Sequence, residues 1–89
     1  MFVLISRYLK PLDEVDRHLA EHRAFLERHY QAHHLLTSGP QNPRTGGVIV
    51  THDMTRAEAE AMMAEDPFLR EGIAEYQYIE FNKTRPLNP

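Results

Sequence analysis

Four short runs rich in β-branched and aromatic side chains alternate with two stretches of helical spacing, and this order constrains the fold more than any other feature. Phe2 to Leu9 is the first strand-like run, closed by Lys10-Pro11 because proline donates no ladder hydrogen bond. From Leu12 the pattern turns helical: Leu12, Val15, Leu19, Leu26 and Tyr30 share one side of a helix running to about His33, with Asp13, Glu14 and Asp16 at the positive end of its dipole. Leu35 to Thr37 is a short extended segment ending in a turn at Ser38-Gly39-Pro40, and Gln41 to Gly46 is a loop of turn formers. Gly47 to Thr51 has the β-branched content of a central strand. Thr55 and Glu58 form a capping-box signature ahead of an alanine-rich helix to about Ala64, which Asp66-Pro67 ends. A further helical turn over Phe68 to Gly72 and an alternating strand from Tyr76 to Phe81 complete a single domain over residues 1–83, with 84–89 as a tail.

Strand, helix, strand, strand, helix, strand is the order of a ferredoxin-like α+β domain, βαββαβ, in which a four-stranded antiparallel sheet carries two helices on one face. The other face of the sheet then needs a cover. A chain of 89 residues buries a smaller fraction of its surface than a large protein does, so a second copy would stabilise it. Two sheets packed face to face make a dimeric α+β barrel with pockets near its ends, so a homodimer is expected, with higher assembly left open.

Apolar residues at 42% and charged residues at 26% describe a globular chain. A formal charge of −3 without any basic run argues against nucleic acid as a partner. The absence of cysteine removes disulfides, thiolate metal sites and cysteine nucleophiles together, and points to the cytoplasm. Met1 to Ile5 is apolar but is cut short by Ser6 and Arg7, too soon for a signal sequence or a membrane span, so no membrane partner is expected.

Histidine is the unusual component: there are six, and His18, His22, His29 and His33 fall in the first helical stretch. At about 100° per residue His22 and His33 border the apolar stripe, while His18 and His29 lie further round toward solvent. His22 is therefore best placed to line a pocket beside the core, against the ordinary alternative of a polar boundary residue. His18 and His22 have the spacing of a helical metal-binding pair, but Leu19 stands where a HExxH pattern has glutamate and no third ligand is indicated, so no metal is expected. Asp66, held on a corner by Pro67, suits either a helix cap or a catalytic carboxylate.

His22-Arg23-x-Phe25-Leu26, Leu35-Leu36-x-Ser38-Gly39-Pro40, Gly47-Val48-Ile49-Val50 and Glu65-Asp66-Pro67-Phe68, followed by the closing strand, resemble the YCII-related proteins in order and spacing. The resemblance spans nearly the whole chain and implies a ferredoxin-like fold that dimerises as an α+β barrel. It also implies a site, with the family's histidine at His22, its aspartate at Asp66 and its Ser-Gly-Pro segment at Ser38, Gly39 and Pro40. The helix end Gln31-Ala32-His33-His34 departs from the pattern, since relatives more often place a small residue or glycine there.

In such a pair the carboxylate orients the imidazole and favours its protonated form, which leaves the second ring nitrogen to exchange a proton with a ligand. His22 would be the general acid/base and Asp66 its orienter, with Ser38 donating to an anionic oxygen and Phe68 supplying an apolar wall. Relatives include enzymes acting on ring compounds by elimination or isomerisation. The expected activity is a cofactor-free, lyase- or isomerase-like proton transfer on a small, aromatic or hydroxylated molecule. The competing readings are a non-catalytic metabolite-binding or accessory dimer module, and a structural dimer that tolerates histidines at a helix boundary.

Overall fold

The computed structural model describes residues 1–87, so the last two positions of the expected tail lie outside the described residues. Strands β1 (Phe2–Tyr8), β2 (Leu35–Pro40), β3 (Gly47–Thr51) and β4 (Ala74–Glu80) form one antiparallel sheet in the order β2-β3-β1-β4. Helices α1 (Leu12–Arg17) and α2 (Leu19–Gln31) follow β1, and α3 (Arg56–Met63) and α4 (Pro67–Arg70) precede β4. The fold is the ferredoxin-like α+β arrangement. The most β-branched runs, β1 and β3, take the two interior positions, where a neighbour on each side pairs their backbone groups.

Strand alternation decides which side chains meet the helices. Phe2, Leu4 and Ser6 of β1 are buried, while Val3 and Ile5 between them are only half-buried. The register sets Ile49 of β3 opposite Leu4, and Tyr78 and Tyr76 of β4 opposite Leu4 and Ser6, so all of these share the helix-facing side. There Phe2, Leu4, Ile49 and the two tyrosines pack with Phe25, Ala59, Met62 and Met63 in the main core. Complete burial of a side chain such as Phe25 contributes about 1.5–3 kcal/mol. A smaller cluster of Val15, Phe68, Ile73 and Ala74 lies beside it, and Tyr76 packs against both.

The capping box forms as the sequence indicates: the Glu58 amide donates to Thr55 Oγ1 at 3.1 Å and the Thr55 amide to Glu58 Oε1 at 2.9 Å. Two close approaches depend on glycine. A side chain at Gly46 would run into the Ser6 carbonyl of β1, and Gly72, at φ 67°, turns the chain out of α4 in the left-handed region.

Three expectations need correction. The first helical stretch is two helices, α1 and α2, broken at His18 (φ −103°, ψ 2°). Val15 and Phe25 lie about 80° apart around an unbroken helix, and the break lets each reach its own cluster. Leu12 is 45% exposed and belongs to neither cluster, so the buried stripe centres on Phe25 and not on Leu12.

The histidine faces are corrected with it: His29, one turn beyond Phe25, is buried, whereas His33 is exposed at φ 61° in the turn after α2. Finally, Ser38, Gly39 and Pro40 are strand residues paired with Ile49, Val48 and Gly47, not a turn. Pro40 is tolerated because β2 is an edge strand, where a missing N–H leaves no neighbour unsatisfied.

Candidate active site

His22 projects from the first turn of α2 toward the corner between α3 and α4, where Asp66 waits. Proline at the first position of α4 holds Asp66 extended at φ −73° and ψ 119°, and its Oδ1 caps the helix by accepting from the Phe68 amide at 3.0 Å. The same Oδ1 meets His22 Nδ1 at 2.8 Å, and Oδ2 accepts from the Tyr76 hydroxyl at 2.6 Å. Asp66 is completely buried, and the three donors together answer both of its oxygens. Asp66 is thus the cap of α4, and the capping oxygen is also the one that meets the imidazole.

Packing fixes the imidazole further. The ring of His22 stacks on Phe68 with centroids 3.9 Å apart and planes within 4°. Burial first, and then the adjacent Asp66 charge, push the Tyr76 hydroxyl far above its ordinary pKa, so it stays protonated as a donor to the carboxylate. With Nδ1 committed to Asp66, Nε2 is the nitrogen His22 has left for a ligand.

The His22 side chain, 13% exposed, lines a cavity of about 310 Å³. Leu19, Leu26, Ile49 and Phe68 supply apolar walls. Ser38, Gly39 and Pro40 also line it, as residues of strand β2 and not of a turn. Ser38 Oγ lies 2.5 Å from the Tyr30 hydroxyl; when Tyr30 donates in that pair, the Ser38 proton is free for the cavity.

Sequence reasoning missed Tyr76, Tyr30, Arg23 and Arg44 at this site. Strand alternation puts Tyr76 and Tyr78 on one face of β4, but only the register with β1 says that this face meets Asp66. Arg44, in the β2–β3 loop, reaches the cavity with its guanidinium 5.8 Å from the centroid of the Tyr8 ring and bonded to Asp16 at 2.6 Å. Its pKa is raised by the Asp16 and Tyr8 hydrogen bonds in that order.

A second histidine cluster lies further along α2. His29 Nε2 meets Glu65 Oε1 at 3.1 Å and its Nδ1 meets His34 Nδ1 at 2.9 Å, beside a cavity of about 300 Å³ that Asp53 and Glu58 also line. The His29 hydrogen bond holds the Glu65 carboxyl below its ordinary pKa. Among the described residues no group of three or more histidine, aspartate or glutamate side chains is arranged to hold a metal ion. No described helix is long and apolar enough to cross a membrane.

The molecule is thus of the ferredoxin-like α+β class, with a helix histidine bonded to a buried aspartate beside a cavity. Residues 1–82 match the YCII-related domain, and the chain belongs to that family. Among solved structures the chain is similar to 5-chloro-2-hydroxyhydroquinone dehydrochlorinase from Burkholderia phenoliruptrix AC1100, described in complex with 2,5-dihydroxybenzoquinone. The likeness has a TM-score of 0.74 at 21% identity and covers 92% of this chain and 94% of that one. No curated protein sequence matches the chain.

Proposed function

We propose that the protein is a small-molecule enzyme in which His22 transfers a proton and Asp66 orients it, in a lyase- or isomerase-like reaction on a hydroxylated ring compound. The observation that carries this reading is the 2.8 Å contact between His22 Nδ1 and Asp66 Oδ1 at the wall of a cavity large enough for a single substituted ring. The likeness to a dehydrochlorinase of hydroxylated rings supports the substrate class.

His22 Nε2 accepts a proton from a ring O–H or C–H. In an isomerisation it returns that proton to another ring atom. In an elimination the electron pair left on the ring expels the leaving anion, and the proton passes from His22 to water. Neither course consumes an oxidant or a reductant. Asp66 stabilises the imidazolium formed on the way, and Tyr76 holds Asp66 in place from its other oxygen. Ser38, Gly39, Pro40 and Phe68 shape the binding surface, with the Ser38 hydroxyl placed to donate to a ring oxygen.

A homodimer accompanies this reading. Val3, Ile5, Val48 and Val50 are half-buried on the face away from the helices, and Ile79 beside them is 41% exposed, so a second sheet packed there removes a contiguous apolar surface from water. We place the enzyme in the cytoplasm, in keeping with a chain that has no cysteine.

The test is turnover of a panel of chlorinated and unchlorinated hydroxyhydroquinones, followed by ring absorbance and chloride release, in wild type, His22→Gln and Asp66→Asn. His22-dependent turnover supports the enzyme. Tight binding of the same compounds without turnover by the wild type sinks it in favour of a metabolite-binding module.

A further inference from the structure

The cavity beside His22 carries a charge pattern that the proton-transfer chemistry does not require. Arg23 and Arg44 are among the residues that line it, and no aspartate or glutamate is. That is unexpected on composition, since the chain has 13 acidic residues against 10 lysines and arginines. The nearest carboxylate to His22, Asp66, is sealed behind the imidazole and answered by its three donors.

The two arginines differ in how they are held. Arg44 is held by Asp16 at 2.6 Å and faces the Tyr8 ring at 5.8 Å, so its side chain is fixed at the rim while part of its charge is already answered. Arg23 follows His22 directly on α2 and, among the described residues, has no carboxylate within 4.0 Å; most other arginines of the chain, such as Arg7 with Glu75 and Arg56 with Glu60, do have one. An uncompensated guanidinium at the mouth of a largely apolar cavity attracts an anion and can grip a carboxylate or enolate through two parallel N–H groups.

We propose that the site selects ring compounds that carry a negative charge, a ring carboxylate or an ionised ring enol, with Arg23 as the principal anion contact and Arg44 as the fixed second one. This rests on the small-molecule site described above and names its substrate class; it does not depend on turnover. The same two charges favour an enolate that forms when His22 removes a proton, so the groups that select the ligand also stabilise the charge developing on it.

Calorimetric binding of 2,5-dihydroxybenzoate and hydroquinone tests the proposal with unreactive probes that share a ring and differ in one carboxylate. The carboxylate is expected to bind at least tenfold more tightly in 20 mM salt, and the preference to shrink severalfold in 300 mM salt. Arg23→Gln should remove most of the preference and Arg44→Gln a smaller part, with hydroquinone affinity changed less than twofold in both. Arg17→Gln, on the exposed face of α1, should leave it intact. Equal affinity of the wild type for the two probes overturns the anion reading, as does a preference that survives the double variant Arg23→Gln/Arg44→Gln. If the carboxylate preference holds and no hydroxylated ring is turned over, the enzyme proposal falls while this inference stands.

Discussion

His22 and His29 stand seven residues apart on the same face of α2 and bond consecutive acidic residues, Asp66 and Glu65, yet the two pairs are set in opposite surroundings. Asp66 is fully buried, with a helix amide and a tyrosine hydroxyl sharing its oxygens. Glu65 is half exposed and shared with Arg28 at 3.6 Å. The two histidines each line a cavity and differ instead in their ring nitrogens: those of His29 both have partners, Glu65 and His34, while His22 keeps Nε2 without one. The first cavity is lined by arginines and no acid, the second by Asp53, Glu58 and Glu65 and no lysine or arginine.

The difference teaches that a histidine–carboxylate contact does not by itself make a site. The proposed proton transfer needs the orienting carboxylate fixed and dry and one ring nitrogen of the histidine left over for the ligand. His22 with Asp66 meets both conditions, and His29 with Glu65 meets neither.

The largest expected effect separates the pairs directly. His22→Ala should lower kcat/KM by about 10²–10⁴, the usual worth of a general acid/base, with a circular dichroism spectrum like the wild type's. His29→Ala should leave kcat/KM within about twofold and cost about 2 kcal/mol of stability by urea unfolding, through lost packing against Phe25. Equal losses of activity in the two variants would erase the distinction.

Next in size is Asp66→Ala, which strands the donors from His22, Tyr76 and the α4 cap and should destabilise by about 3 kcal/mol in chemical denaturation. Asp66→Asn keeps an acceptor for the cap and should lose much less stability while still losing activity. A variant in which stability and activity fell together in both substitutions would make Asp66 a structural cap alone.

Tyr76→Phe leaves one oxygen of Asp66 without its buried donor, and a stability loss of about 1 kcal/mol with a fall in kcat of about tenfold is expected. Stopped-flow or steady-state assays across pH would show whether the loss lies in kcat, as positioning demands, or in KM.

The smallest effect belongs to Glu65. Its carboxyl is held below the ordinary value of 4.5, chiefly by the His29 hydrogen bond, so the unfolded state binds the proton more readily than the folded one. Its stabilisation is complete above pH 4.5 and is lost as pH falls through the lower folded-state value. Glu65→Gln should flatten that acid limb of an unfolding-versus-pH curve by less than about 0.5 kcal/mol, because the group is half exposed.

Much of the architecture is legible in the residues because its causes are local. β-branched runs, the Thr55–Glu58 capping box and the Asp66-Pro67 corner each act over a few residues, and together they set the number, type and order of the main elements. His22 and Asp66 could be named as candidates from position and from family resemblance. Their contact could not be read from spacing, since 44 residues separate them.

Where local reasoning failed, a long-range contact decided the outcome. The break at His18 arises because Val15 and Phe25 pack in different clusters, which helical periodicity alone does not register. Ser38-Gly39-Pro40 has turn-forming residues but pairs with β3, since an edge position accepts glycine and proline that an interior strand would reject. His29 is buried because the helix stripe centres on Phe25.

By itself, then, the sequence determined the α+β class, the element order and the candidates for moving a proton, because propensity, periodicity and side-chain chemistry are properties of short segments. Only the tertiary structure decided that Tyr76 supports Asp66, that Arg23 and Arg44 line the cavity, and that His22 keeps a ring nitrogen without a partner where His29 has both engaged. Those outcomes depend on sheet register and helix orientation, which arise only when distant segments pack together.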